Sequence, residues 1–432
     1  MSWSKIPMAL RIAALATVAI AILLLAAYPF PSATIAPRFW MFRVGLAYAA
    51  KGFAIYGALE LAGLLRAKAA VGAKLAAAGW ATTIAIGFVQ VGVSMAGAWR
   101  DPIGTTLQWL WWVAMLAVGI GFAITAFRRP VIAIVGAVMW LAIERPPIVE
   151  DWLWKHLLDH RDAQFAINIG HLVLQAAIVL VLAAVAVGDV PNGFAIRDPQ
   201  RIRWGHTKIA NALWLRVIAI SALPLVTLMI MGSQNSASFK AVGYAMIVAG
   251  FINAVSFLGV GLGALDAARS NQVDLHRTPF FLGAAGSLWC AGVTLFQLPE
   301  LYETLFGDHS GFLAERNSDT AAAFAIVLPL VAAAGIVMWT VGVSGFAARR
   351  ERLDLSARAQ RTAVWFVVLS AASVGVSQGL LPDARSDGSV LLLLVLALAC
   401  GFAAIVNALR LARDTAELAN VEQPTVPTAT ML

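Results

Sequence analysis

Apolar residues in this 432-residue chain fall in long runs that polar residues rarely interrupt. The runs are about 20 residues long, the length that an α-helix needs to cross the hydrocarbon core of a bilayer. They do not alternate apolar with polar positions, as the strands of a membrane barrel do. The pattern therefore predicts an all-α polytopic membrane protein with about twelve transmembrane helices, over residues 7–27, 39–64, 73–99, 105–127, 130–152, 165–187, 210–231, 241–265, 279–301, 321–346, 361–381 and 390–411.

The connections between the runs are short, which favours antiparallel neighbours in a helical bundle. The longest connection, 188–206, contains Asp189, Pro191 and Pro199 and is typical of a linker. We expect a first six-helix half over 1–188, a cytoplasmic linker over 189–207, a second six-helix half over 208–413 and a disordered cytoplasmic tail over 414–432. The fifth run is the least regular, because Pro146 and Pro147 interrupt it near its end.

Composition narrows the class of protein further. Hydrophobic residues make up 60% of the chain and charged residues 12%, whereas about a quarter of a soluble domain is charged. A soluble enzyme, a disordered chain and a disulfide scaffold are excluded on this ground. No pattern typical of a catalytic centre or a phosphate-binding loop occurs, so we expect a protein that is not an enzyme.

The basic residues predict the orientation in the membrane. About two thirds of the 31 Lys and Arg residues lie on the side of the chain that carries both termini. Cytoplasmic loops are enriched in Lys and Arg, so both termini are expected to be cytoplasmic in a multi-pass protein of the plasma (inner) membrane. The net charge of +8 is explained by this topology, and we expect the lipid bilayer as partner and no nucleic acid.

Short matches between the two parts of the chain indicate an internal duplication. Lys5-Ile6 recurs as Lys208-Ile209, and Gly52-Phe53 recurs as Gly250-Phe251. The fourth and tenth spans both end in Phe and a pair of arginines. Because each half has an even number of spans, the two halves are expected to be parallel and related by an axis along the membrane normal.

Twelve spans in two parallel halves joined by an inner linker resemble the layout of the major facilitator superfamily. The resemblance covers the layout of the whole chain. The loops that begin at Gly63 and Gly263 depart from the glycine–acidic–basic signature that this family carries after its second span. The resemblance implies a transporter with its solute site in a central cavity between the halves.

Lys51 is the strongest candidate for a functional residue. It lies near the middle of the second span, and its counterpart in the second half is Ala249. A charge at this depth is costly, so it is expected to face the bundle interior, a partner or water. The alternative is a structural lysine that joins two helices.

Three amides complete the predicted solute-binding set. Gln90 and Gln297 occupy equivalent positions in the third and ninth spans, and Asn253 lies in the eighth. Amides of the two halves can coordinate a polar solute in a shared cavity. Alternatively, each amide forms a hydrogen bond with a neighbouring helix.

Histidines of the chain suggest a further class, a metal- or haem-binding redox protein. His156 and His160 are spaced i, i+4 with Asp159 beside them, which puts both rings on one helix face and suits a divalent metal. The same segment is also typical of an amphipathic interfacial helix. His171 is a candidate haem ligand without a second membrane-depth histidine, and no cofactor is assigned.

These observations favour a permease-like membrane protein that moves a small solute near Lys51. The first alternative is a non-catalytic membrane subunit or scaffold, held among partner subunits by apolar helix faces. The second alternative is the metal or haem redox protein.

Overall fold

A computed structural model describes residues 6–27, 32–65, 67–95, 101–149, 161–188, 200–231, 236–270, 276–306, 312–377 and 387–419. These residues form helices and connections without a strand, which confirms the prediction of an all-helical chain. Twelve helices have described bounds: α1 Met8–Ala27, α2 Ser32–Leu64, α3 Ala67–Met95, α4 Asp101–Thr125, α5 Pro130–Ile143, α6 Arg161–Gly188, α7 Gln200–Met231, α8 Ser236–Ala268, α9 Arg277–Phe306, α10 Phe312–Arg349, α11 Leu353–Ser377 and α12 Asp387–Leu418.

Seven of the described helices contain a stretch long and apolar enough to cross a membrane: Met8–Ala26, Lys68–Val93, Pro102–Thr125, Phe165–Gly188, Gly243–Ala268, Arg277–Pro299 and Val327–Arg349. Large apolar side chains are also exposed along many of the described helices. Leu15, Val131 and Val364 are 62%, 73% and 62% exposed. Water-facing surfaces of soluble proteins rarely show such continuous apolar exposure, so the protein is a helical membrane protein. The count of twelve crossings stays a prediction.

The described helices fall into two compact units. Unit 1 comprises Met1–Ile196 and Ala291–Thr320, and unit 2 comprises Arg197–Cys290 and Ala321–Leu432. The first boundary lies inside the segment that we predict as a linker. The segment Ala291–Thr320 belongs to unit 1, whereas the predicted halves place it in the second half.

Six helices of unit 1, α1 to α6, form a closed ring. Each of α1 to α5 packs against the next helix, and α6 packs back against α1. Close approach of α3 and α4 depends on Gly72 and Gly121, since a Cβ atom on Gly72 would lie 2.5 Å from the Gly121 carbonyl oxygen. Small residues at a helix interface allow such close backbone packing in membranes.

Unit 2 also closes into a ring, formed by α7, α8, the first part of α9, α10, α11 and α12. The last helix of the ring, α12, packs against the first, α7. Gly205 and Gly263 bring α7 and α8 together, since a Cβ atom on Gly205 would lie 2.5 Å from the Gly263 carbonyl oxygen. Gly283 and Gly335 do the same between α9 and α10.

The predicted fifth span, 130–152, is not one continuous helix. Its described helix α5 has 14 residues and ends at Ile143. Pro146 and Pro147 follow, and a proline disfavours helical conformation in the residue before it. At 1.5 Å per residue, α5 is about 21 Å long, which is less than the roughly 30 Å of the hydrocarbon core.

Candidate functional site

A cavity of about 280 Å³ lies inside the ring of unit 1. Alanines of α1, α2 and α6 line much of it, and their short side chains leave space that larger residues would fill. Polar side chains enter the cavity from α1, α2, α6 and the residue that follows α5. The lining residues are Ala13, Ala14, Thr17, Ile20, Ala47, Ala50, Lys51, Ala54, Trp80, Trp111, Met115, Glu144, His171, Leu172, Gln175, Ala176 and Val179.

Lys51 projects into this cavity from the middle of α2. Its Nζ atom lies 4.0 Å from the centroid of the Trp111 ring on α4 and 5.7 Å from the centroid of the Tyr48 ring. An ammonium over a tryptophan face away from water gains about 2 kcal/mol. This contact offsets part of the cost of burying a lysine among apolar residues and positions the amino group at the cavity wall.

Glu144 is placed in the cavity by the end of α5. Its backbone N–H donates to the Trp140 carbonyl oxygen at 2.8 Å, and its own carbonyl oxygen accepts from Trp112 Nε1 at 2.9 Å. Trp140 is in turn anchored to α4, because its Nε1 donates to the Met115 carbonyl oxygen at 2.8 Å. Since the chain leaves the helix directly after Ile143, these bonds hold the glutamate in place.

The Glu144 carboxylate is buried, with 7% of its side chain exposed, and two side chains of α6 meet it. Gln175 Nε2 donates to Oε1 at 3.1 Å, and His171 Nε2 lies 3.1 Å from the same oxygen. The two residues are four positions apart, so they share one face of α6. Buried carboxylates need such donors, and here both come from one helix.

The cavity therefore brings a basic and an acidic side chain together among apolar walls. Lys51 and Glu144 line the same space. Because Lys51 lies midway along α2 and lines the same cavity as Glu144, the end of the short helix α5 lies near the middle of α2.

The predicted solute-binding residues are only partly brought together. Lys51 lines the cavity, and Gln90 and Gln297 are not among the described residues that line it. Asn253 lies in unit 2, where its Oδ1 accepts a hydrogen bond from Arg216 Nε at 2.7 Å. A solute-binding role of these three amides stays a prediction.

The predicted metal site at His156, Asp159 and His160 lies outside the described residues. Within the described ranges, no group of three or more His, Cys, Asp or Glu side chains is arranged to hold a metal ion. The candidate haem ligand, His171, has its Nε2 atom beside the Glu144 carboxylate.

Glu144 is the functional candidate that sequence reasoning missed. The pattern of apolar and polar residues places Glu144 at the start of a polar outer segment. It therefore gives no indication that Glu144 shares a cavity with Lys51. Two signals pointed to it. Pro146 and Pro147 interrupt the fifth span directly after it, and His171 and Gln175 present a polar face in an otherwise apolar span.

The fold and the cavity define an α-helical membrane protein with a charged site among apolar walls. The chain has no match to a family model, a curated protein or a solved structure.

Proposed function

We propose that the protein is a permease that takes a small solute into the cavity of unit 1. The observation that carries this proposal is a basic and an acidic side chain, Lys51 and Glu144, that line one cavity inside a ring of helices. Ionisable groups at membrane depth are costly and mark solute or ion pathways by default. The proposal places the solute inside unit 1, whereas the sequence suggests a cavity between two halves.

The finer architecture belongs to the same proposal. The chain crosses a plasma (inner) membrane twelve times with both termini cytoplasmic, and its two six-helix halves derive from a duplication. The order of packing supports the duplication, since in each unit the last helix of the ring packs against the first. The first half has Lys51 where the second half has Ala249, so the first half is the one that became specialised for the solute.

The cavity limits the solute to a small molecule. Its volume of about 280 Å³ lies just below the roughly 300–1,000 Å³ of pockets that hold drug-sized ligands. Its walls are mainly alanine, isoleucine, leucine and valine, so the solute has an apolar part. Lys51 and Glu144 favour a polar end that carries both signs of charge or hydrogen-bonding groups of both kinds.

Cysteine accessibility from the two sides of the membrane tests the permease proposal. Ala176 lines the cavity on α6, and Ala183, two turns further along the same helix, is buried and outside the cavity lining. Each is changed to cysteine in a chain with Cys290→Ala and Cys400→Ala. Right-side-out and inside-out vesicles are then treated with a membrane-impermeant methanethiosulfonate reagent.

A permease alternates its opening, so A176C is expected to be labelled from both sides, while A183C is labelled from neither. Labelling of A176C from one side only contradicts transport through this cavity. Protection from both sides contradicts it as well and favours the alternative of a non-catalytic subunit or scaffold.

A further inference from the structure

A second cavity lies in unit 2, at one end of α11 and α12. It measures about 490 Å³ and is lined by Arg358, Arg361, Thr362, Trp365, Asn407 and Arg410. Three arginines therefore line one groove, which we call the basic groove.

The sequence spacing explains this convergence. Arg358, Arg361 and Trp365 follow one another at three- and four-residue intervals on α11, and Asn407 and Arg410 are three residues apart on α12. Side chains at these intervals share one face of a helix. Two such faces, turned towards each other, form the groove.

The basic groove keeps an excess of positive charge. Among the described residues, the carboxylate of Asp414 forms an ion pair with Arg358. Arg361 and Arg410 are exposed, and Arg361 Nε donates to the carbonyl oxygen of Ala357 on its own helix at 3.4 Å. Like charges held together in this way repel each other, so an anion in the groove is favourable.

The groove lies where the predicted spans meet the membrane surface. The predicted span 361–381 begins at Arg361, and the span 390–411 ends beside Arg410. One turn further along α11, Trp365 is 45% exposed, and tryptophan prefers the level of the lipid headgroups. Val364 and Val368 continue this face and are 62% and 52% exposed.

We propose that the basic groove binds the phosphate group of an anionic phospholipid of the inner leaflet. Arg361 and Arg410 contact the phosphate oxygens, since planar guanidinium groups match them with paired hydrogen bonds. The Asn407 amide offers a further donor. The acyl chains lie along the exposed valines of α11, and this apolar face distinguishes a lipid from a free phosphate, which needs only the arginines.

Lipid binding to the purified full-length protein tests this inference. The protein in neutral detergent is titrated with phosphatidylglycerol, with phosphatidylcholine and with inorganic phosphate, and bound molecules are counted by native mass spectrometry. The variant Arg361→Gln with Arg410→Gln removes two charges from the groove. The control, Lys74→Gln with Arg203→Gln, removes the same charge from exposed positions of α3 and α7.

The native protein and the control are expected to bind phosphatidylglycerol in preference to phosphatidylcholine. The groove variant loses about tenfold or more in affinity, because each basic group near an anionic lipid contributes substantially to binding. Equal binding of phosphatidylcholine, or unchanged affinity in the groove variant, overturns the proposal. If millimolar inorganic phosphate displaces the lipid, the proposal is also overturned, and the groove is a site for free phosphate.

Discussion

Both units hold a basic side chain deep among their described helices, Arg216 in unit 2 and Lys51 in unit 1, and the two are accommodated in different ways. In unit 2, Arg216 is 8% exposed, its Nε donates to Asn253 Oδ1, and its guanidinium lies 3.9 Å from the centroid of the Phe257 ring. In unit 1, Lys51 lies over Trp111 at the wall of a cavity. The guanidinium of Arg216 is enclosed by its hydrogen-bond partner and an aromatic ring, whereas Lys51 faces a cavity that a solute can enter.

The two units also differ in how they hold a histidine. His171 lies at the cavity of unit 1 beside Glu144. His206 in unit 2 is fully buried, with ring centroids 5.8 Å from Phe280 and 6.1 Å from Trp339. The histidine of unit 2 is thus enclosed by aromatic rings, whereas the histidine of unit 1 lies at a cavity.

A large loss of stability is expected from Asn253→Leu. The substitution removes the acceptor of Arg216 Nε and leaves a buried guanidinium with an unmade hydrogen bond. We expect a loss of about 3 kcal/mol in the free energy of unfolding. Unfolding in mixed micelles with increasing denaturing detergent measures it. A loss below about 1 kcal/mol would show that Arg216 does not depend on this bond.

Acid is expected to destabilise the protein through His206. Burial lowers the pKa of His206 to about 4, whereas an unfolded histidine has a pKa near 6.5. Between these values the unfolded chain binds a proton that the folded protein does not, so stability falls as the pH is lowered from about 6.5 to 4. The contribution is about 3 kcal/mol over this range.

The substitution His206→Phe isolates this contribution. Phenylalanine keeps an aromatic ring between Phe280 and Trp339 and does not titrate. Unfolding free energies between pH 4.5 and 7.5 are compared for both proteins, and the native protein should show the steeper decline towards acid. Parallel curves for the two proteins would refute the assignment.

A smaller effect is expected from Gln175→Leu, the equivalent amide-to-leucine change in unit 1. It removes one donor from the Glu144 carboxylate, and His171 remains beside the same oxygen. We expect a loss of about 1 kcal/mol, measured by the same unfolding experiment. A loss as large as that of Asn253→Leu would show that the cavity of unit 1 depends on its polar contacts as much as the packed Arg216–Asn253 pair of unit 2 does.

The helices could be predicted from the sequence, but which helices pack against each other could not. Runs of apolar residues identify helices such as α4 and α6, because helix formation at membrane depth depends on local composition. Lys51 was found because a charge in such a run is conspicuous. Its grouping with Glu144 and His171 depends on α6 closing the ring against α1, and periodicity within one helix does not specify which helices become neighbours.

Thermal unfolding of Lys51→Leu and Arg216→Leu tests the central claim most directly, namely that Lys51 serves a site and Arg216 the fold. Leucine removes the cost of the buried lysine and loses its ring contact, and the Glu144 carboxylate keeps its contacts with His171 and Gln175. The melting temperature of Lys51→Leu should therefore stay within a few degrees of the native value or rise. Arg216→Leu should melt clearly lower, because it leaves Asn253 without its donor. A fall in melting temperature for Lys51→Leu as large as that for Arg216→Leu would contradict the account and make the lysine a structural link between helices.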